Sequence, residues 1–239
     1  MKIRLNLKYV LAFLLLTMLA GLSHEMVHHV AGAAICGCWG YKTFNSFVLC
    51  SSCDGNPNSF WATVAGPAFT FGLMWFGWYK LRKPDNRNRQ LGFALIFANF
   101  PINRIMFAFM GYNDEQWVAR QLYGDSQIAF WITIILILIC TVPPLTAAFL
   151  QIENRRRWLW FLGFFTLPFV FVILFAGLFL EEYLLLKLKF LSEPIVGIPY
   201  LLLLVEVLCL LGYSLTKKYL YTPPEVAVTE AQPQVASIN

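Results

Sequence analysis

Charge is scarce in this sequence. Only 13% of its 239 residues are Asp, Glu, Lys or Arg, against 59% hydrophobic residues, and the mean hydropathy is +0.62. A water-soluble domain of this length does not have such a composition. Histidine is scarcer still: the chain has three, and all of them fall between positions 24 and 29. Ten-residue stretches of alternating polarity are absent, which excludes a transmembrane barrel. No internal repeat is evident. The net charge of +5 does not point to nucleic acid, because the basic residues stand beside apolar runs, where they read as topology signals.

What is present is a set of long apolar segments, roughly 9–35, 60–79, 91–110, 127–150, 158–180 and 195–215. Each is near the ~20 residues that cross a hydrocarbon core as helix. The expected fold is an all-α integral membrane protein of about six transmembrane helices, with the lipid bilayer as its solvent. Thirteen of the 18 basic residues lie before the first segment, between the second and third, between the fourth and fifth, or after the sixth. Those positions share one side of an even-numbered bundle, and the positive-inside rule then puts both termini in the cytoplasm. Met1 to Ser23 also has the look of a signal peptide, with a basic start and small residues near its end. The apolar character continues through Ile35, however, further than such a segment needs. The tail from Thr222, rich in Pro, Val, Ala and Gln, reads as disordered. The expected organisation is a core over 1–125, three further spans over 126–216 and a tail over 217–239.

Inside the first apolar segment stands His24-Glu25-Met26-Val27-His28, the pattern H-E-x-x-H. Ionisable groups at membrane depth are costly and default to a functional reading. Histidines four apart share a helix face and can hold one metal ion. The glutamate between them can take a proton from a metal-bound water. His29, about 100° further round the helix, falls off that face. With no other histidine in the chain, a third protein ligand must be a carboxylate or a cysteine.

From Lys8 to Glu25 a helix rises about 25 Å, so the pair sits near the outer end of the first span. The third span runs in the same direction and exits at the same level, just before Gly111-Tyr112-Asn113-Asp114-Glu115. Asp114 is the expected third ligand and Glu115 the near alternative. Asp54, among turn residues, and Glu181 and Glu182, at the end of the fifth span, are weaker candidates. Glu206 is deep in the sixth span and calls for a partner. Asn99 and Asn103, four apart in the third span, are candidates for binding a substrate backbone or a developing oxyanion, or for holding helices together. Arg104 could reach the interface, Glu206 or a substrate.

Cys36, Cys38, Cys50 and Cys53 cluster in the loop over 36–59. On the outer side they read as two disulfides, with three possible pairings; on the cytosolic side the spacing would suit a structural zinc. The stretch Tyr41 to Leu49 has strand character. Cys140 and Cys209 lie within spans as small packing residues.

Taken together, the first three spans resemble the site-2 protease family of intramembrane zinc metalloproteases. The likeness rests on His24-Glu25-Met26-Val27-His28, on Ala65-Gly66-Pro67-Ala68 in the second span, and on Asn113-Asp114-Glu115 after the third. Asp114 is followed by Glu115, where the family usually has glycine. The resemblance covers about residues 9–125. It implies a three-helix metalloprotease core in which His24, His28 and Asp114 hold Zn2+ and Glu25 is the general base. It also implies substrates that are membrane-embedded proteins, and an edge strand in the loop that can receive them. Gly66 and Pro67 would loosen the second span and open a path to the metal, or serve close packing. The competing readings are a polar helix end in a wet vestibule and a non-catalytic metal-binding membrane protein, a transporter or an assembly factor. A transporter should carry polar groups along a path through both halves of the membrane. Beyond residue 127 the spans hold only Glu206.

Overall fold

A computed structural model describes residues 1–221. The expected tail from Thr222 lies outside them, while Lys217–Leu220, assigned above to that tail, form a 3-10 turn with Leu220 buried. Eight α-helices and two short hairpins make up the described chain. In order they are α1 (Leu7–Cys36), β1 (Tyr41–Lys42), β2 (Phe47–Val48), α2 (Phe60–Leu81), α3 (Asn86–Ala98), α4 (Pro101–Met110), α5 (Asp114–Tyr123), α6 (Gln127–Leu150), α7 (Arg157–Val172), β3 (Pro194–Ile195), β4 (Ile198–Pro199) and α8 (Tyr200–Thr216). The fold is all-α. Five helical stretches among the described residues are long and apolar enough to cross a membrane, as in a multi-pass membrane protein. They are Leu7–Cys36, Asn86–Tyr123, Gln127–Leu150, Arg157–Lys187 and Tyr200–Leu220.

Four of the expected spans differ. The second, α2, has 22 residues and spanning length, but it is not among the five. Its glycines, Trp, Tyr and Pro dilute its hydropathy. The third is broken. Helix α3 ends at Ala98, and Phe100 adopts a left-handed backbone, φ 32°. Pro101 causes the break: its ring disfavours helical geometry in the residue before it and suits the first position of a new helix. The sixth starts late, because Pro194–Pro199 form a hairpin turning at Val196 and Gly197, both with positive φ. The fifth runs on past position 180, since α7 continues as a wide π-helical stretch over Ile173–Lys187.

Helix α1 is the central post. It packs against α2, α3, α7 and α8. Its basic end sits in an aromatic core where Phe164 of α7 meets Phe13 edge-on at 5.2 Å and Phe93 at 5.0 Å. Helices α2 and α3 cross closely at Gly77 and Gly92, where any Cβ would meet the other helix's backbone. Helix α6 docks on α2 and covers a proline defect. Pro144 cannot donate to the carbonyl of Cys140, and the Trp75 indole of α2 donates to it instead, at 3.0 Å. The outer faces of α6, of α7 with its π-helical continuation, and of α8 remain apolar and exposed, as at Ile132, Leu136, Leu167, Leu174, Leu208 and Leu211. Lipid is the solvent such faces fit.

Candidate metal centre

Helix α1 carries His24 and His28 on one face, both buried, with imidazole centroids 4.4 Å apart. Asp114 arrives from the other direction. Gly111 ends α4 with φ 76°, and Asn113 caps α5 by accepting from the Gln116 amide at 3.1 Å. Asp114 is therefore the first residue of α5, aimed back at α1. Its Oδ2 lies 3.2 Å from His24 Nε2 and 3.5 Å from His28 Nε2, and the two Nε2 atoms are 3.0 Å apart. One ligand atom from each residue falls within 4.8 Å of the others, a grouping that could hold a metal ion.

The surroundings orient these donors. His28 Nδ1 lies 2.7 Å from the Ala62 carbonyl of α2. A carbonyl only accepts, so Nδ1 carries the proton and Nε2 keeps its lone pair toward the cluster. Phe47 of β2 stacks on the same ring, centroid to centroid 4.2 Å and nearly parallel. Glu25 is not among the three residues whose donor atoms converge. Its Oε2 is buried without a hydrogen-bond partner among the described residues, and it interacts electrostatically with His28, Asp114, Lys42 and Arg104.

Gly66 gives the second span its part in the site. A Cβ there would overlap the imidazoles of both His28 and His24. Helix α2 is continuous through Pro67, so the glycine serves close approach. Gly66→Ala is expected to cost about 1–3 kcal/mol of overpacking and to push the rings apart. If the three residues hold a divalent ion, metal content of the purified variant is expected to fall well below that of wild type, which checks this.

Other residues separate from the centre. His29 lies away from it, as its place on the helix required: Nε2 donates to the Val196 carbonyl at 2.9 Å and the ring stacks on Trp39. Asn99 and Asn103 do not share a helix face, because the chain breaks between α3 and α4. The Asn99 amide donates to the Leu95 carbonyl at 2.7 Å, which caps α3. Asp54 follows a 3-10 turn in the cysteine loop and Glu182 stays outside the site. Glu181 accepts from Thr43 Oγ1 at 3.0 Å and Asn45 Nδ2 at 2.7 Å, so it ties the β1–β2 turn to the π-helical stretch. The cysteines pair as two nested disulfides, Cys36–Cys53 and Cys38–Cys50, which fasten the hairpin beside α1. Cys140 and Cys209 are free thiols.

Two residues have larger roles than sequence reasoning gave them. Arg104, buried in α4, donates to Asp114 Oδ2 at 3.1 Å and to His24 at 2.8 Å, and does not meet Glu206. The partner of Glu206 is Lys42 of β1, at 2.8 Å. The available signal was that Glu206 is an isolated charge in an apolar span and Lys42 the only charged residue between Glu25 and Asp54, and isolated buried charges pair.

No family model, curated protein or solved structure matches this chain.

Proposed function

We propose that this protein is an intramembrane zinc endopeptidase of the site-2 protease type. The observation that carries the reading is the convergence of His24, His28 and Asp114, from two helices 90 positions apart, around a glutamate-bearing H-E-x-x-H turn. Two neutral imidazoles and one carboxylate leave a fourth position open, which is the pattern of a catalytic rather than a structural zinc site. Zinc bound there would supply Lewis-acid activation of water and of the scissile carbonyl. Glu25 accepts the proton of the attacking water and passes it to the leaving amine. Nε2 of His28 stays oriented by the Ala62 carbonyl throughout.

The substrate class follows from placement. The centre lies among apolar helices, close to the end of α1 that carries the disulfide loop, so an accessible peptide bond belongs to a membrane-embedded protein that unwinds there. Disulfides persist in oxidising compartments, so the two paired in the loop support, with the charge distribution, the reading in which the loop is outside and both termini are cytoplasmic.

Elemental analysis of purified protein beside Asp114→Ala tests the reading. One zinc per wild-type chain and a large loss in the variant are expected, with loss of cleavage of a reconstituted transmembrane reporter. Equal zinc in both proteins would remove Asp114 from the ligand set. A zinc-loaded wild type that cleaves no membrane substrate would favour the non-catalytic reading.

A further inference from the structure

The ligand atoms have a second claimant. Arg104 Nη1 donates to Asp114 Oδ2 at 3.1 Å, and Nη2 lies 2.8 Å from His24 Nδ1 and 3.0 Å from its Nε2. Asp114 Oδ2 and His24 Nε2 are also the atoms that converge with His28 Nε2, so a divalent ion bound among them meets the guanidinium already there. Arginine stays charged in any protein environment, so the guanidinium cannot yield by losing a proton. It has to move.

Glu115 provides somewhere to go. It follows Asp114 in the first turn of α5, and its side chain is only 15% exposed. Neither of its carboxylate oxygens has a hydrogen-bond partner among the described residues, and both are buried. Its Oε1 lies 3.6 Å from Arg104 Nη1, beyond hydrogen-bond range but within one side-chain adjustment. Arg104 Nε is likewise buried and unpartnered. A buried acceptor and a buried donor, each unsatisfied, stand side by side, although such groups are ordinarily satisfied.

We propose that Arg104 and Glu115 belong to the metal centre as an exchangeable counter-ion pair: a divalent cation takes Asp114 and His24 from Arg104, whose guanidinium passes to Glu115. The proposal rests on His24, His28 and Asp114 being the ligands. The exchange has a consequence for selectivity. An entering ion must offer Asp114 more than the guanidinium does, which favours a divalent over a monovalent cation. It also gives Glu115 a role distinct from ligation, as a positioning residue acting through Arg104.

Zinc affinity of the full-length protein in detergent, measured by competition with a chromogenic chelator, tests this. Glu115→Gln keeps the shape and removes the charge, and is expected to weaken zinc binding on the order of tenfold or more. Arg104→Met removes the competitor and is expected to bind zinc more tightly than wild type; Arg104→Gln serves if the first variant does not purify. In the Arg104→Met background, Glu115→Gln is expected to have no further effect. Wild-type affinity in Glu115→Gln would overturn the proposal, as would a defect that persists undiminished once Arg104 is gone, since Glu115 would then be a direct ligand. Zinc binding by wild type that His24→Ala does not weaken would overturn the ligand assignment itself, and the exchange with it.

Discussion

Glu25→Gln is expected to retain zinc at the wild-type stoichiometry and to lose about 10²–10⁴-fold in peptide hydrolysis, the usual worth of a positioned general base. Glu25 shares α1 with His24 and His28 but is not among the three residues whose donor atoms converge. Its carboxylate Oε2 is buried and unpartnered, so no hydrogen bond among the described residues depends on that oxygen. Glutamine preserves the volume and cannot accept a proton at neutral pH. The measurement pairs cleavage of a transmembrane reporter in proteoliposomes with elemental analysis of the same preparation. Proteolysis at the wild-type rate would discard the mechanism. Loss of zinc would make Glu25 a ligand instead. His24→Ala is the companion: it is expected to lose the metal and the activity together, so the two variants separate binding from chemistry.

How much of this was legible in the sequence depends on the range of each interaction. The His24–His28 face is a local consequence of helical spacing, and it appears as spacing predicts. Asp114 is 90 positions from His24, yet it was reachable, because spans of known direction fix which loops share a level. Local rules failed where prolines reset the chain. Pro101 splits the third span, and with it the face supposed to join Asn99 to Asn103. Pro194 and Pro199 turn the start of the sixth into a hairpin. Gly66 was legible as a small residue but not as the one that clears two imidazoles, since that depends on the crossing of α1 and α2. The cysteine spacing allowed three pairings, and only the folded loop selects Cys36–Cys53 with Cys38–Cys50. Arg104 was the hardest. Its partners lie on α1 and α5, and no periodic pattern links an arginine on α4 to both.

The buried pair between β1 and α8 carries the second large expectation. Lys42 is fully buried and donates to Glu206 Oε1 at 2.8 Å, while Glu206 keeps 19% of its side chain exposed. Removing one partner of such a pair strands the other charge. Lys42→Met is expected to destabilise the protein by about 3 kcal/mol, the lower end of that range because Glu206 retains some exposure. The double variant Lys42→Met with Glu206→Met is expected to recover most of the loss, since two apolar groups need no counter-charge. Denaturant unfolding in detergent, run as a double-mutant cycle, measures the coupling. A single variant as stable as wild type, or a double variant no better than the single, would mean that the pair does not hold β1 to α8. The effect should also reach the metal centre. Phe47 pairs with Lys42 across the hairpin and stacks on His28, so replacing Lys42 is expected to loosen the ring that confines this candidate ligand. Zinc affinity in Lys42→Met is therefore expected to fall together with stability, while in the double variant both return.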